Sequence, residues 1–431
     1  MPSENRKSRF ATLETDEKMS AVLKVVGVGG GGCNAIASMM KRGLTDVDFV
    51  AVNTDAQVLE KMSSAHKIQI GKNLTKGLGA GADPNVGKKA AEEDRENLTR
   101  ILEGSDMVFI TAGMGGGTGT GAAPLIASVA QSVGALVIGI VTKPFRWEGK
   151  KRMMNAEKGI QELRQYVDSL IVIPNERLLN ILDKSISAAS AFDKPNEVLY
   201  EATRGIADII TIPGIINVDF ADVRSVMNES GEALMGCGMA SGENRAVEAA
   251  QKAISSPLLE GVSIKGAKNI LLNVTGSENL TMQEIDEGNK VIYEAAGEEA
   301  NVIFGWVNKE EMNEYVSYTV IATGFDSMQS SSTLRNFAER KEEKPKEATF
   351  PGLGFNTKTL PPEDLNNLDV PTIFRVKGSK SSLLNNDFVP QSGYKVDKTQ
   401  TSLFEEEKDV EEQEEESRDD DSSSFLRMMM D

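Results

Sequence analysis

The chain has 431 residues, of which 40% are apolar and only 5% aromatic, enough length for two or three domains with a real core. Its single histidine (His66) and two cysteines (Cys33, Cys237) exclude a histidine-rich zinc site, a cysteine cluster, a disulfide framework and a Ser-His-Asp machine. Lys+Arg 47 against Asp+Glu 65 leaves a net charge of −18, a poor surface for nucleic acid or an anionic membrane.

Residues 1–20 are polar and mixed in charge, with no apolar signal-type stretch, and read as a disordered extension. No apolar run approaches the length of a membrane span, so a soluble, cytoplasmic chain without membrane insertion is expected. Residues 21–28 form an apolar, β-branched run ended by the glycines at 29–32, and 34–42 has helical spacing with Ile36, Met39 and Met40 on one face. Strands are predicted at 49–52, 67–70, 106–112, 135–142 and 169–173, with helices at 86–102 and 122–133. Apolar strands alternating with helices predict an α/β domain over 21–194, a doubly wound parallel sheet covered on both faces. A long central helix is predicted over 195–212, with Pro195 in its first turn. Over 213–326 the pattern changes to helices at 222–235, 243–254 and 282–296 and strands at 269–274, 301–307 and 317–322, a smaller α/β domain with a mixed sheet. Past residue 326 periodicity fades, and 327–431 reads as a disordered linker and tail. The tail holds an apolar island at 368–375 (LDVPTIFR) and a second stub at 425–430, alternatives for a docking peptide. Between them, 405–421 sets twelve carboxylates against Lys408 and Arg418 and reads as a solvated spacer.

The glycine clusters fall where strands end. Gly27-Val28-Gly29-Gly30-Gly31-Gly32-Cys33-Asn34 contains G-x-G-x-x-G between strand and helix, and Asp55 follows the second strand about twenty residues on, the pattern of a dinucleotide site. Such glycines let main-chain amides approach phosphate oxygens, and the helix N-terminus adds a favourable dipole; a tight turn without ligand is the plainer alternative. A second loop at 113–121 (GMGGGTGTG) opens another helix. Two cradles at neighbouring strand ends suit a longer polyphosphate, with the Thr118 and Thr120 hydroxyls as added donors, and the Walker pattern is absent from the chain. A third segment, Gly77-Leu78-Gly79-Ala80-Gly81-Ala82-Asp83-Pro84, is suited to close over a terminal phosphate. Lys76 is the only cation across these loops, so amides and a bound Mg²⁺ would carry most of the neutralisation. Glu148 and Arg152 have the spacing of an exposed helix pair. Asp219 reads as an N-cap and Asp222 as a first-turn carboxylate.

GGGTGTG at 115–121, GVGGGGCNAI at 27–36 and NVDFADV at 217–223 occur together and in family order. On these motifs the chain resembles the FtsZ family, bacterial tubulin homologues that polymerise into the cell-division ring, from about residue 24 to 326. The resemblance implies a GTPase with GTP as substrate and Mg²⁺ as cofactor; no side chain is assigned as a metal ligand. It implies that Gly30, Gly31, Gly32, Cys33, Asn34, Gly117, Thr118 and Gly119 line the phosphates, with Gly81 and Ala82 near the γ-phosphate. Glu148 and Arg152 would hold the ribose and phosphate side, and Asn175, Phe192 and Asn196 the guanine. Asn217, Asp219 and Asp222 resemble the loop that one subunit inserts into its neighbour's pocket, where carboxylates polarise the attacking water. Phosphoryl transfer rests on positioning and charge stabilisation, so no histidine is needed. The resemblance further implies a head-to-tail homopolymer at the midcell division ring, with the tail docking on division proteins and membrane tethers. Two alternatives stand beside it: a NAD-dependent oxidoreductase using the first glycine loop, and a GTP-binding scaffold without hydrolysis.

Overall fold

A computed structural model describes residues 21–325 apart from 65, 180–185, 213, 217 and 260–263. The extension 1–20, the tail with its island, stub and acidic run, and Asn217 lie outside the described residues. Six strands come first: β1 (Leu23–Val28), β2 (Asp48–Asn53), β3 (His66–Gln69), β4 (Met107–Gly113), β5 (Leu136–Lys143) and β6 (Ser169–Pro174). All pair in parallel, in the order β3-β2-β1-β4-β5-β6. Their side chains enter two cores, one on each face, which is why they read as unbroken apolar runs. Val25 and Phe109 pack with Ile36 and Met39 of the helix Gly29–Lys41. Val26 and Ile110 pack with Ala122 and Ile126 of the helix Thr118–Ser132. The strand order reverses between β1 and β4, and the ligand crevice of such sheets opens there, beyond the carboxyl ends.

Four more strands follow: β7 (Gly231–Ser241), β8 (Asn269–Gly276), β9 (Asn301–Asn308) and β10 (Tyr315–Thr323). Their order is β7-β10-β8-β9, with β10 antiparallel to both neighbours and β8 parallel to β9, the mixed sheet expected. A short parallel pairing of 169–171 with 231–233 joins the two groups into one ten-stranded sheet. Among the described residues no helix is long and apolar enough to cross a membrane.

Three elements depart from the sequence pattern. The helix expected over 86–102 is divided at Asp94 into Pro84–Glu93 and Arg95–Leu102. The helix expected over 222–235 ends at Met227, and β7 begins at Gly231. In β7, buried Ala233 and Met235 alternate with half-buried Leu234, the period of a strand, disguised by a stretch of small residues with few β-branched ones. The central helix runs Ala188–Thr211, capped by Ser187, whose hydroxyl accepts the Ser190 N–H at 3.2 Å. Pro195 therefore lies well inside the helix and not in its first turn. It removes one helical hydrogen bond, and burial of Pro195 itself and of Val198, Leu199, Ala202 and Ile206 beyond it holds the helix together.

The central helix turns a polar face to the second group of strands. A Cβ at Gly205 would stand 2.6 Å from Thr319 Cγ2, and this close seat lets Asn273 Nδ2 donate to the Gly205 carbonyl at 3.2 Å. Buried Asp208 accepts from Arg204 at 3.0 Å and from Lys309 at 2.6 Å. Glu201 lines the same seam, around a cavity of about 20 Å³ shared with Arg204, Asp208, Asn273, Thr275 and Thr319.

Burial pushes the Glu201 carboxyl above its ordinary range; Arg204, Arg42 and Lys194 oppose this and Glu197 adds to it. An acid whose folded pKa is raised holds its proton better folded than unfolded, so it costs stability once pH rises through that interval. Glu201→Gln is thus expected to raise the thermal midpoint at pH 7, with the gain shrinking as pH falls towards the ordinary glutamate value of 4.5. Calorimetry of both proteins over a pH series checks this; a midpoint lowered equally at every pH contradicts it.

Candidate functional site

Two helices begin where β1 and β4 end: Gly29–Lys41 directly, and Thr118–Ser132 after the turn at 114–117. Neither start has a side-chain cap or an acidic residue in its first turn. The first-turn N–H groups of both helices therefore lack side-chain caps in one crevice, with the positive ends of two helix dipoles. The starts touch each other. Gly29 has φ +72°, and a Cβ there would stand 2.7 Å from the Gly119 nitrogen; only bare backbone allows that approach. Gly30 is half-exposed, Gly31 and Asn34 are exposed, and Gly32 and Cys33 are buried. Burial pushes the Cys33 thiol up to about 12, with Asn53 opposing by a hydrogen bond, so its main chain is what it can offer a ligand.

Gly117, Thr118 and Gly119 are buried in the second turn. Thr118 Oγ1 lies 2.7 Å from Thr54 Oγ1, and Thr120 Oγ1 accepts the Gly115 N–H at 2.8 Å. These hydroxyls tie the loops together, a buried polar group taking the partner at hand; the Thr120 hydroxyl, which accepts there, keeps its own proton to donate. In the third segment, exposed Gly81 and Ala82 both have φ of +57°. A left-handed alanine persists only where its surroundings fix it; here Asp83 caps the next helix by accepting the Asn85 N–H at 2.9 Å.

Beside that segment opens a cleft of about 500 Å³, lined by Gly81, Ala82, Thr120, Lys88, Lys151 and Lys158 among others, a volume ordinary for small-molecule sites. Lys88 pairs with Glu162 at 2.6 Å, which raises its pKa. The cations of this cleft come from two helices, Lys88 from Pro84–Glu93 and Lys151 and Lys158 from Lys150–Leu163, and Lys76 is not among its lining residues. The readable signal was Lys151, Asn155 and Lys158 at one-face spacing on the helix Lys150–Leu163.

The far rim is aromatic. Phe145 and Trp147 stack at 5.5 Å, and Phe192 meets both edge-on at 5.7 and 5.8 Å. Glu148 accepts the Phe145 N–H at 2.7 Å and pairs with Arg152 at 3.1 Å. The pair forms, but Glu148 ends a 3-10 turn (Arg146–Glu148) and Arg152 belongs to the helix after it, so it is not the within-helix pair that spacing suggested. Asn175 follows β6, buried, and its Oδ1 has no hydrogen-bond partner among the described residues. An orphaned buried acceptor fits the N–H donors on a guanine edge. Asn196 stands one turn beyond Phe192 on the central helix and donates to Asp193 Oδ1 at 3.4 Å. Asp55 caps the helix Ala56–Lys61, accepting the Gln57 N–H at 2.8 Å, a structural task that the dinucleotide pattern does not require.

The glycine turns, Glu148 and Asn175 follow the carboxyl ends of β1, β4, β5 and β6, and Phe192 touches Phe145 and Trp147 beside them, with Asn196 one turn further along the central helix. Asp219 and Asp222 do not join them. Asp219 caps the helix Phe220–Met227, accepting the Asp222 N–H at 2.8 Å, and both side chains are exposed. That helix follows the far end of a central helix of 24 residues, about 36 Å long at the usual rise. Arg224 on it donates to the Gly134 carbonyl at 3.3 Å, and Gly134 precedes β5, at the amino ends of the strands. The aspartates and the glycine turns occupy opposite edges of the sheet. Among the described residues no three His, Cys, Asp or Glu side chains are grouped to hold a metal.

The sequence matches the Tubulin/FtsZ family GTPase domain over residues 22–183 and the FtsZ family C-terminal domain over 231–326. Among solved structures it is similar to an empty FtsZ dimer from M. jannaschii, with 43% identity, a TM-score of 0.69, and coverage of 72% of this chain and 90% of that one. CetZ1 from Haloferax volcanii, a GDP-bound monomer, is 24% identical at TM-score 0.63, over 74% of this chain and 99% of that one. CetZ2 from the same organism, a GTPγS-bound protofilament, is 20% identical at TM-score 0.61, over 74% and 98%. The last two show likeness of fold.

Trp147 is 65% exposed against Phe192, whereas Trp306 is 8% exposed in the other group of strands. GTP is expected to change Trp147 emission on binding, and Trp147→Phe to abolish the change while binding by equilibrium dialysis persists. An undiminished signal in that variant would place the base elsewhere.

Proposed function

The chain belongs to the Tubulin/FtsZ family, and from that premise we propose that it hydrolyses GTP where two copies meet head to tail. The observation that carries this reading is the placement of Asp219 and Asp222 on the sheet edge opposite the glycine turns. In the proposed pocket, main-chain amides around Gly30–Asn34 and Gly117–Gly119 hold the phosphates, with Gly81 and Ala82 at the terminal one. Glu148 and Arg152 flank the ribose side, Phe192 stacks on the base, and Asn175 and Asn196 bond its edge. Mg²⁺, when bound with the nucleotide, supplies charge neutralisation at the phosphates.

No carboxylate of the pair can reach a nucleotide in its own pocket. Stacking a second copy along the strand direction brings its exposed Asp219 and Asp222 over the first copy's phosphates, where they orient and polarise the attacking water. Asn217 is assigned to the same loop. An interface between unlike faces repeats without closing and so produces a filament. The FtsZ structure at 43% identity is a dimer, which supports self-association. On this reading 21–194 binds nucleotide, 195–212 spans the molecule, 213–326 supplies the acidic loop, and 327–431 links the filament to division proteins and membrane tethers. Either 368–375 or 425–430 is the docking peptide, and the protein works in the cytoplasm at the midcell division ring.

Phosphate release per molecule is expected to rise steeply with protein concentration. Asp222→Ala should still bind GTP while its turnover falls by about a hundredfold or more. Mixing it with Asn175→Leu, which lacks the base acceptor, should restore part of the activity, since each variant supplies the half that the other lacks. Turnover per molecule that stays constant on dilution, with no recovery on mixing, would overturn the shared site.

A further inference from the structure

An asparagine side chain has two faces, a carbonyl oxygen that accepts and an NH₂ that donates, and its other contacts decide which one it offers a ligand. Asn196 Nδ2 lies 3.4 Å from Asp193 Oδ1. An ionised carboxylate only accepts, so this contact commits the NH₂ to Asp193 and leaves Oδ1 for an incoming base. Asp193 is held in turn: its Oδ2 accepts from Arg42 Nη2 at 3.2 Å, across 151 residues of chain. Arg42 is the C-cap of the helix Gly29–Lys41, whose first turn forms one of the two glycine cradles. Its guanidinium lies 5.8 Å from the centre of the buried Tyr200 ring, and the Tyr200 hydroxyl donates to the Arg42 carbonyl at 3.4 Å. On the same ring sits Arg204, at 5.6 Å, itself bonded to Asp208 at 3.0 Å. The carboxylate that steers Asn196 is therefore braced against packed structure on two helices.

We propose that Asp193 is a specificity-positioning residue, fixing the Asn196 amide so that it presents an acceptor to the base. Guanine offers N1–H and N2–H donors on that edge; adenine offers an acceptor at N1 and is refused. This rests on the reading that the base sits between Phe192 and Asn196. The Asp193 side chain is 55% exposed and that of Arg42 33%, and exposed ion pairs contribute little to folding. Loss of Asp193 should therefore be nearly silent in stability and visible in base choice.

Equilibrium binding of GTP and ATP to the full chain, with thermal midpoints alongside, tests this. Asp193→Ala is expected to weaken GTP about fivefold while ATP holds or gains, since a freely turning amide can also donate; affinity ratios of this size are well within what such assays resolve. Arg42→Gln should shift the GTP-to-ATP ratio the same way by less, and Asp193→Glu, which keeps the charge, should recover part of it. A ratio in Asp193→Ala equal to that of the unaltered protein overturns the proposal, whether both affinities stay or both fall together. Asn196→Ala separates the two levels of the reading. If it loses selectivity while Asp193→Ala keeps it, the assignment of Asp193 fails alone; if it too keeps full selectivity, the base is read elsewhere and the site assignment fails with it.

Discussion

The carboxyl edge of the sheet is organised by one backbone-to-backbone contact, that between Gly29 and Gly119. It sits where the strand order reverses, and it draws two helix N-termini into a single crevice. Each end carries roughly half a positive charge, so two ends held together repel one another and attract a polyanion. A chain of net charge −18 thereby keeps a region of positive potential built from main chain, which lysine side chains from neighbouring helices extend. The Thr54–Thr118 hydroxyl pair and the Thr120 bond to the Gly115 amide lock the cradle before any ligand arrives. Pre-ordered amides bind without a further ordering cost, which is the physical advantage of building with turns.

The central helix sets the distance between the two edges. Its apolar residues share a core with the first group of strands and with Ala233, Met235, Leu271 and Ile321 of the second, while a polar stripe of Glu201, Arg204, Gly205 and Asp208 faces β8 and β10. The polar side is held by Gly205 against Thr319 and by Asp208 between Arg204 and Lys309. A buried carboxylate with two cations is costly to leave half-partnered, so this seam resists sliding more than an apolar contact of similar area would. Phe192 and Asn196 near one end of the helix and Asp219 beyond the other are thus fixed relative to each other by one rigid element.

Much of this was legible in the sequence. Strands β1 to β6 announce themselves because burial on both faces makes them continuously apolar, and glycine clusters mark their ends. The turns drew attention as a ligand cradle, whereas the structure gives Gly29 a packing reason as well, its close seat against Gly119. What failed had identifiable causes. β7 carries its alternation in Ala, Met, Gly and Cys, which score poorly as strand formers. Pro195 resembles a helix start, and only tertiary burial shows that the helix begins at Ala188. The pairings of Arg42 with Asp193 and of Thr54 with Thr118 join residues far apart in the chain, and no local period reports such contacts.

The distance between cradle and aspartates also answers an electrostatic difficulty. A carboxylate close enough to polarise water at a terminal phosphate is close enough to repel the triphosphate itself, by an amount that low-dielectric surroundings enlarge. A site holding both groups in one subunit would weaken its grip on substrate whenever it was ready to react. Keeping Asp219 and Asp222 at the opposite edge removes that repulsion from the isolated molecule. In the proposed filament the repulsion returns only at a junction, where subunit contact offsets it and the bond to be broken is already in place. Binding and hydrolysis can then be adjusted separately, the first by the turns around Gly29 and Gly119, the second by the geometry of the junction.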